Sequence, residues 1–277
     1  FTFIDTFNER NTLAQRGKSK EGRKALRIVG LALLVAADGH MPLLHRIYPG
    51  NQADAPTFRG LTDSLIERYR KLTDGAEHVT LVFDKGNNAE DNLETIADSP
   101  YHFIGSLVPT HHAELLAIAK TRFHSLDEQG LAGVSVHRTT REAFGAKRTV
   151  LVTYNENLFV AQSRTLLREI AKRQQHLREL QQQLQRWHRG EVRRGKPPSV
   201  AGVSKKVQGW LEARHMKELF QVTVEERDEL PWLTYRFDRR AWTKLQKTLL
   251  GKTLLFTDND DWSDAEIVRG YRAQHHV

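Results

Sequence analysis

The 277-residue chain contains no cysteine. That excludes disulfides and thiolate metal sites and accords with a reducing compartment. No apolar run approaches the roughly 18 residues that a membrane span needs, and the opening FTFIDTFNER is neither basic nor a long apolar run. Several familiar sites are missing as well. There is no G-x-x-x-x-G-K-[ST] loop, no G-x-G-x-x-G after a strand, no H-E-x-x-H and no G-x-S-x-G. The 13 histidines are scattered, and the adjacent pairs His111-His112 and His275-His276 are poor chelates. Neighbouring side chains point to opposite sides of a strand or about 100° apart on a helix.

What is present is charge, unevenly spread. The net charge is +8 with a sequence pI near 9.7, which suits a polyanionic partner. Residues 31–110 hold 6 Lys/Arg against 11 Asp/Glu, whereas residues 161–217 hold 14 against 4. An acidic stretch therefore precedes a basic one.

The pattern of apolar residues predicts an α/β fold. Residues 25–51 read as two strands joined at Asp38-Gly39, with Pro49-Gly50-Asn51 ending the second. Phe58, Leu61, Leu65, Ile66 and Tyr69 recur at helical spacing. His78–Phe83 reads as a third strand, 89–97 as a short helix and 101–109 as another strand. Residues 133–160 read as short antiparallel strands and 161–189 as a long helix. In that helix Leu166, Ile170, Leu177, Leu180, Leu184 and Trp187 form a coiled-coil-like seam interrupted by Arg173. RRGKPPS (193–199) is the clearest linker. A helical piece follows, then strand-like LPWLTYRFD (230–238), a short helix, a buried strand KTLLFT (252–257), and a closing helix that Ser263 could cap.

The stretch HVTLVFDKGNNAEDNL (78–93) carries the most chemistry. Asp84 stands at the tip of what reads as a buried strand, and an ionised carboxylate there needs a partner or a task. A carboxylate at a strand end, followed by a glycine that lets a phosphate approach, suits a hard divalent cation. A capped turn serves the same pattern.

Four ordered blocks resemble the DDE-class transposases of bacterial insertion sequences: RGKSKEGR (16–23), GLALLVAADGHMPLLHRIYPGNQADAPTF (30–58), LVFDKGNNAEDNL (81–93) and LLFTDNDDWSDAEIVRGYR (254–272). The resemblance implies an RNase H-like mixed sheet with flanking helices, interrupted by an inserted β-rich and helical subdomain. It divides the chain into a first part of the catalytic core (1–110), an insertion with a basic helical pair (111–250) and a return to the core (251–277). It also implies metal-dependent cleavage and strand transfer at element ends, with two Mg²⁺ or Mn²⁺ ions held by two Asp and one Glu. The partners implied are double-stranded DNA and a second copy in a synaptic homodimer, in a bacterial cytoplasm near the nucleoid and without a membrane.

By motif, Asp84 matches the second catalytic aspartate and metal ligand of that family. Gly86 and Asn92 belong to the same block, and Gly50 with Asn51 matches a loop before the first helix. The family's first aspartate falls ahead of Phe1, leaving Asp5 as the only carboxylate near that point. Tyr271 matches the tyrosine of the closing motif, position 274 is Gln where the family has Arg, and the glutamate would be residue 278. Both termini are thus expected to be cuts inside a longer protein, and the chain alone is expected neither to bind Mg²⁺ tightly nor to cut DNA.

DNA contact is expected from Arg186, Arg189, Arg193, Arg194, Lys196, Tyr271 and Arg272, within a basic run that includes Arg164, Arg168, Arg173 and Arg178. Partner-helix packing through the Leu/Ile seam is the rival use of that helix. Trp210, Trp232 and Trp242 are expected to pack in a core, although related transposases use an aromatic of the insertion to hold a flipped base. Two other functions share these features: a non-catalytic DNA-binding or oligomerisation remnant, and a nuclease that cuts without joining.

Overall fold

The computed structural model describes residues 2–6, 10–17, 26–36, 41–52, 54–72, 79–192 and 194–273. It shows a mixed α/β chain that divides into two compact units, Phe1–Tyr154 with Thr253–Val277, and Asn155–Lys252. The sequence reading set the first boundary at 110. The structure instead carries the strands that follow that point into the main sheet of the first unit.

In the first unit, β1 (Thr2–Thr6), β2 (Arg27–Val35) and β3 (Pro42–Pro49) form a three-stranded antiparallel sheet, with Ile4 opposite Val29 and Leu31 opposite Ile47. The turn at Asp38-Gly39 lies outside the described residues, but the strands on either side pair as expected. Gly50 follows β3 at a very close approach to β2. A Cβ there would lie 1.9 Å from the Ile28 carbonyl oxygen, so no other residue fits. Helix α1 (Asp54–Leu72) then buries Phe58 and Thr62.

A six-stranded sheet makes up the rest of the unit. Its strands are β4 (Thr80–Val82), β5 (His102–Ser106), β6 (His124–Ser125), β7 (Val134–Ala143), β8 (Ala146–Asn155) and the returning β11 (Lys252–Thr257). The spatial order is β4-β5-β11-β8-β7-β6. Strands β4 and β5 run parallel, and β11 pairs antiparallel on the other side of β5. Helices α2 (Glu90–Ala97) and α3 (Ala113–Leu116) lie on either side of β5 in the chain. The helix α8 (Asp264–Ala273) closes the unit, burying Ile267 and Val268 in a cluster with Ile104, Leu151 and Leu255.

Residues 133–155 are not short strands. They form two ten-residue strands joined by Phe144 and Gly145, whose φ values of 51° and 72° make the two-residue primed turn that suits a right-twisted hairpin. A row of aromatic rings crosses the unit: Phe58 to Phe83 (4.9 Å between centroids), Phe83 to Phe103 (5.7 Å), Phe103 to Phe256 (5.1 Å) and Phe256 to Phe144 (5.5 Å). Gly105 makes room for it, since a Cβ there would meet the Phe256 ring at 2.6 Å and Phe83 at 3.0 Å.

The second unit is built on α4 (Glu156–His188), which starts five residues earlier than the periodicity suggests because the Asn155 side chain accepts from the Leu158 amide at 3.0 Å. After it come α5 (Val200–Leu211), α6 (Met216–Leu219), the hairpin β9 (Phe220–Arg227) and β10 (Leu230–Phe237), and α7 (Arg239–Thr248). Strand β9 was read as part of a helical piece; it pairs with β10 from Phe220–Phe237 to Arg227–Leu230. Among the described residues this hairpin supplies the unit's only sheet. The seam of α4 is used within the chain: Ile170, Leu177, Leu180 and Leu184 pack with Val203, Val207, Phe220 and Leu233. Arg173, which interrupts the seam, pairs with Glu169 at 2.9 Å.

Candidate active site

Strand β4 places Asp84. Leu81 and Phe83 are buried, and the last ladder bond runs from the Phe83 amide to the Ile104 carbonyl at 3.1 Å. Asp84 then leaves the sheet with extended backbone and caps a tight 3₁₀ turn over Lys85–Asn87. The side chain is exposed, so the buried carboxylate suggested by the sequence is not what forms. Its physical reason is that the apolar ladder stops one residue short of the aspartate.

The exposed carboxylate is nonetheless held. Its Oδ1 accepts from the Lys85 amide at 2.7 Å and from Ser106 Oγ at 3.2 Å. Ser106 lies next to Asp84 because β4 and β5 run parallel with Val82 opposite Ile104, two residues before each. Asn88 Nδ2 donates to the Ser106 carbonyl at 2.8 Å, and Asn92 Nδ2 donates to the Asn87 carbonyl at 2.9 Å. Asn92 thus braces the turn from inside α2, while Gly86 lies exposed within the turn. The Oδ1 atoms of Asn87 and Asn88 are buried without a donor. Asn51 is exposed in the turn after Gly50.

Among the described residues, no three His, Asp or Glu side chains gather to hold a metal ion. Asp5 lies in β1 opposite Ile28. Asp84 therefore offers one ligand, not a two-ion site. One carboxylate completed by water and substrate phosphates is a usual coordination for Mg²⁺, and the free Oδ2 of an exposed aspartate fits that part.

A second group of carboxylates follows β11, and Asp258, Asp260, Asp264 and Glu266 each accept from a neighbouring group. Asp258 Oδ1 accepts from the Phe103 amide at 2.9 Å, with His102 Nδ1 3.4 Å from Oδ2. Thr149 Oγ donates to Asp260. Arg138 donates to the carbonyls of Asp260 (2.7 Å) and Trp262 (2.8 Å) and to Asp264 Oδ1 (3.0 Å), and His124 Nε2 lies 3.1 Å from Asp264 Oδ2. Burial holds the Arg148 guanidinium below the usual arginine range, opposed by Asp258, and it lies over the Phe103 ring at 4.9 Å. Ser263 and Glu266 form a reciprocal cap on α8, with the Ser263 amide donating to Glu266 Oε2 at 2.8 Å. Hydrogen bonds from Ser263 hold the Glu266 carboxyl below its ordinary value. Tyr271 packs half-buried beside the Ile104–Leu255 cluster. Arg272 turns to the Gly130 carbonyl at 3.4 Å, and burial lowers its pKa.

The cations expected to contact DNA fall into two sets. Arg186 and Arg189 both pair with Glu191, at 3.4 and 2.7 Å. Gly190, at φ 69°, ends α4 and folds Glu191 back so that its amide reaches the Arg186 carbonyl at 3.0 Å. Arg194 and Lys196 are exposed, and Arg193 lies outside the described residues. By contrast Arg164, Arg168, Lys172 and Arg178 lie exposed on α4 with no ion-pair partner among the described residues. Val160 (46% exposed) and Leu167 (51%) share that face. Trp210 meets His176 with tilted rings at 4.9 Å, Trp232 meets His188 edge-on (5.2 Å) and lies under Arg227 (4.8 Å), and Trp242 packs on the core.

Comparison with protein-family models, with curated proteins and with solved structures found no match. Among the described residues no helix is long and apolar enough to cross a membrane. Ser106, Asn88 and Arg138 were missed by the sequence reading. Only Ser106 had a usable signal: once β4 and β5 are taken as parallel neighbours, equal counting along both strands puts it beside Asp84.

Proposed function

We propose that the chain is the greater part of a DDE-class transposase catalytic region, with an RNase H-like core in its first unit and the inserted subdomain in its second. The observation that carries this reading is Asp84: an exposed carboxylate at the end of a parallel strand pair, with one oxygen fixed by two donors and the other unpartnered. The four sequence blocks support it, as does a mixed sheet flanked by helices.

In this reading Asp84 holds one Mg²⁺ or Mn²⁺ ion. Such ions activate an attacking water or DNA 3′-hydroxyl and offset charge on the phosphate. The carboxylates that complete the set are those the resemblance places before Phe1 and at 278. The unpaired cations of α4 contact the backbone of double-stranded DNA and set affinity rather than sequence preference. A synaptic complex of two copies and a place near the bacterial nucleoid belong to the same reading.

The test is strand cleavage and joining on element-end DNA with Mn²⁺, using the chain with its flanking coding sequence at both ends, beside its Asp84→Ala form. Cleavage and joining that vanish in the variant support the proposal. Cleavage without joining of a pre-cut 3′-hydroxyl end favours a nuclease. Activity unaffected by the substitution returns Asp84 to a turn-capping role. DNA binding with no cleavage in either form leaves a DNA-binding remnant, the reading that the free cations of α4 favour.

A further inference from the structure

Ser106 is 4% exposed, yet it makes two polar contacts toward the Asp84 turn. Its hydroxyl donates to Asp84 Oδ1 and its carbonyl accepts from Asn88 Nδ2. With the Lys85 amide also on Oδ1, two donors fix one oxygen, and Oδ2 has no partner among the described residues. The turn does not satisfy its own polar groups, because the buried Oδ1 atoms of Asn87 and Asn88 have no donor. Ser106 therefore ties both the carboxylate and the turn that follows it to the rigid β5.

We propose that Ser106 is a positioning residue for Asp84, holding the carboxylate so that Oδ2 is presented to a divalent cation as a single-oxygen ligand. This rests on the reading that Asp84 binds a cation. A hard cation needs an oxygen in a defined direction, and hydrogen bonds behind the ligand supply that direction. An exposed aspartate without such support rotates freely and loses part of its affinity to disorder. If Ser106 only braced the turn, its loss would lower stability and leave cation binding alone.

The two roles separate in a titration with Mn²⁺ of the chain carrying its flanking coding sequence at both ends, followed by paramagnetic broadening of the amide signals of residues 85–88. The unsubstituted chain broadens there selectively and Asp84→Asn does not. Ser106→Ala requires about ten-fold more Mn²⁺, the usual scale for losing support behind a ligand. Ser106→Thr, which keeps the hydroxyl, stays near the unsubstituted chain. Ser106→Cys, a weaker donor, falls between them and replaces the alanine form if that does not fold. An unchanged midpoint in Ser106→Ala, or equal losses in the alanine and threonine forms, overturns the positioning role while leaving Asp84 as a ligand. Broadening that is absent, or that survives Asp84→Asn, overturns the cation reading and the role of Ser106 with it.

Discussion

Two strands of the six-stranded sheet are each followed within two residues by an aspartate, and the two ends behave differently. LVFD closes β4 and LLFTD closes β11, so in sequence they are near twins. Strand β5 lies between them and touches both. Because β4 is parallel to β5 and β11 antiparallel, Asp84 meets β5 at Ser106 while Asp258 meets it at Phe103. At about 3.3 Å per residue, those points are roughly 10 Å apart along the strand. Asp258 therefore cannot share an ion with Asp84. Asp258 Oδ1 takes the Phe103 amide and its Oδ2 lies 3.4 Å from His102 Nδ1, whereas Asp84 Oδ2 has no partner among the described residues. A carboxylate bonded to its neighbour strand with a histidine beside its second oxygen serves the fold; one whose second oxygen is unpartnered is available for chemistry.

The largest effect should come at the β11 end. Arg138→Ala removes donors from three acceptors in residues 260–264 and should cost about 3 kcal/mol, measured by denaturant unfolding. A loss below about 1 kcal/mol would mean that water replaces the clamp and that the contrast between the two ends is overstated.

Gly105→Ala tests the strand they share. The new methyl would press on Phe256 and Phe83, and a cost of about 2 kcal/mol is expected from thermal or denaturant unfolding. Stability equal to that of the unsubstituted chain would show that the aromatic row yields easily.

A paired measurement sharpens the comparison most directly. Asp258→Ala leaves the Phe103 amide without its acceptor and should cost about 1–2 kcal/mol. Asp84→Ala removes the turn cap and the acceptor of the Ser106 hydroxyl and should cost about 1 kcal/mol, no more than the Asp258 substitution. The reverse order would assign Asp84 to structure.

The smallest effect concerns pH. The Glu266 carboxyl is held below its ordinary value of 4.5 by Ser263, so its contribution is present above that value and fades as pH falls through the lowered one. Glu266→Gln should be less stable than the unsubstituted chain at neutral pH, and the gap should close on acidification. A gap that is constant with pH would show that the charge of Glu266 plays no part in the cap.

Elements whose signal is local were legible in the sequence. KTLLFT is β11 residue for residue, and four residues of the α4 seam, Ile170, Leu177, Leu180 and Leu184, are buried as its spacing suggested. Strand β9 was not legible, because FQVTVEER is half polar and becomes a strand by pairing with LPWLTYRF. Asp84 stood out by its place after an apolar run, but nothing local separates it from Asp258; strand order does. The pairing of Arg186 and Arg189 with Glu191 was equally hidden, since it depends on the backward turn at Gly190. The RNase H-like identity and the insertion remain part of the proposal, while the mixed sheet with its helices is observed.

The position of β5 between the two aspartates also dictates which substitutions each end tolerates. At 258 the fold asks for an acceptor of the right length, so asparagine is the natural replacement and residues without a side-chain oxygen are not. At 84 folding asks for little, and a wide range of small polar residues would leave the sheet intact. A library varied at both positions and selected only for folding would therefore return a narrow alphabet at 258 and a broad one at 84. Any narrowing at 84 under a further selection would be the imprint of something other than stability.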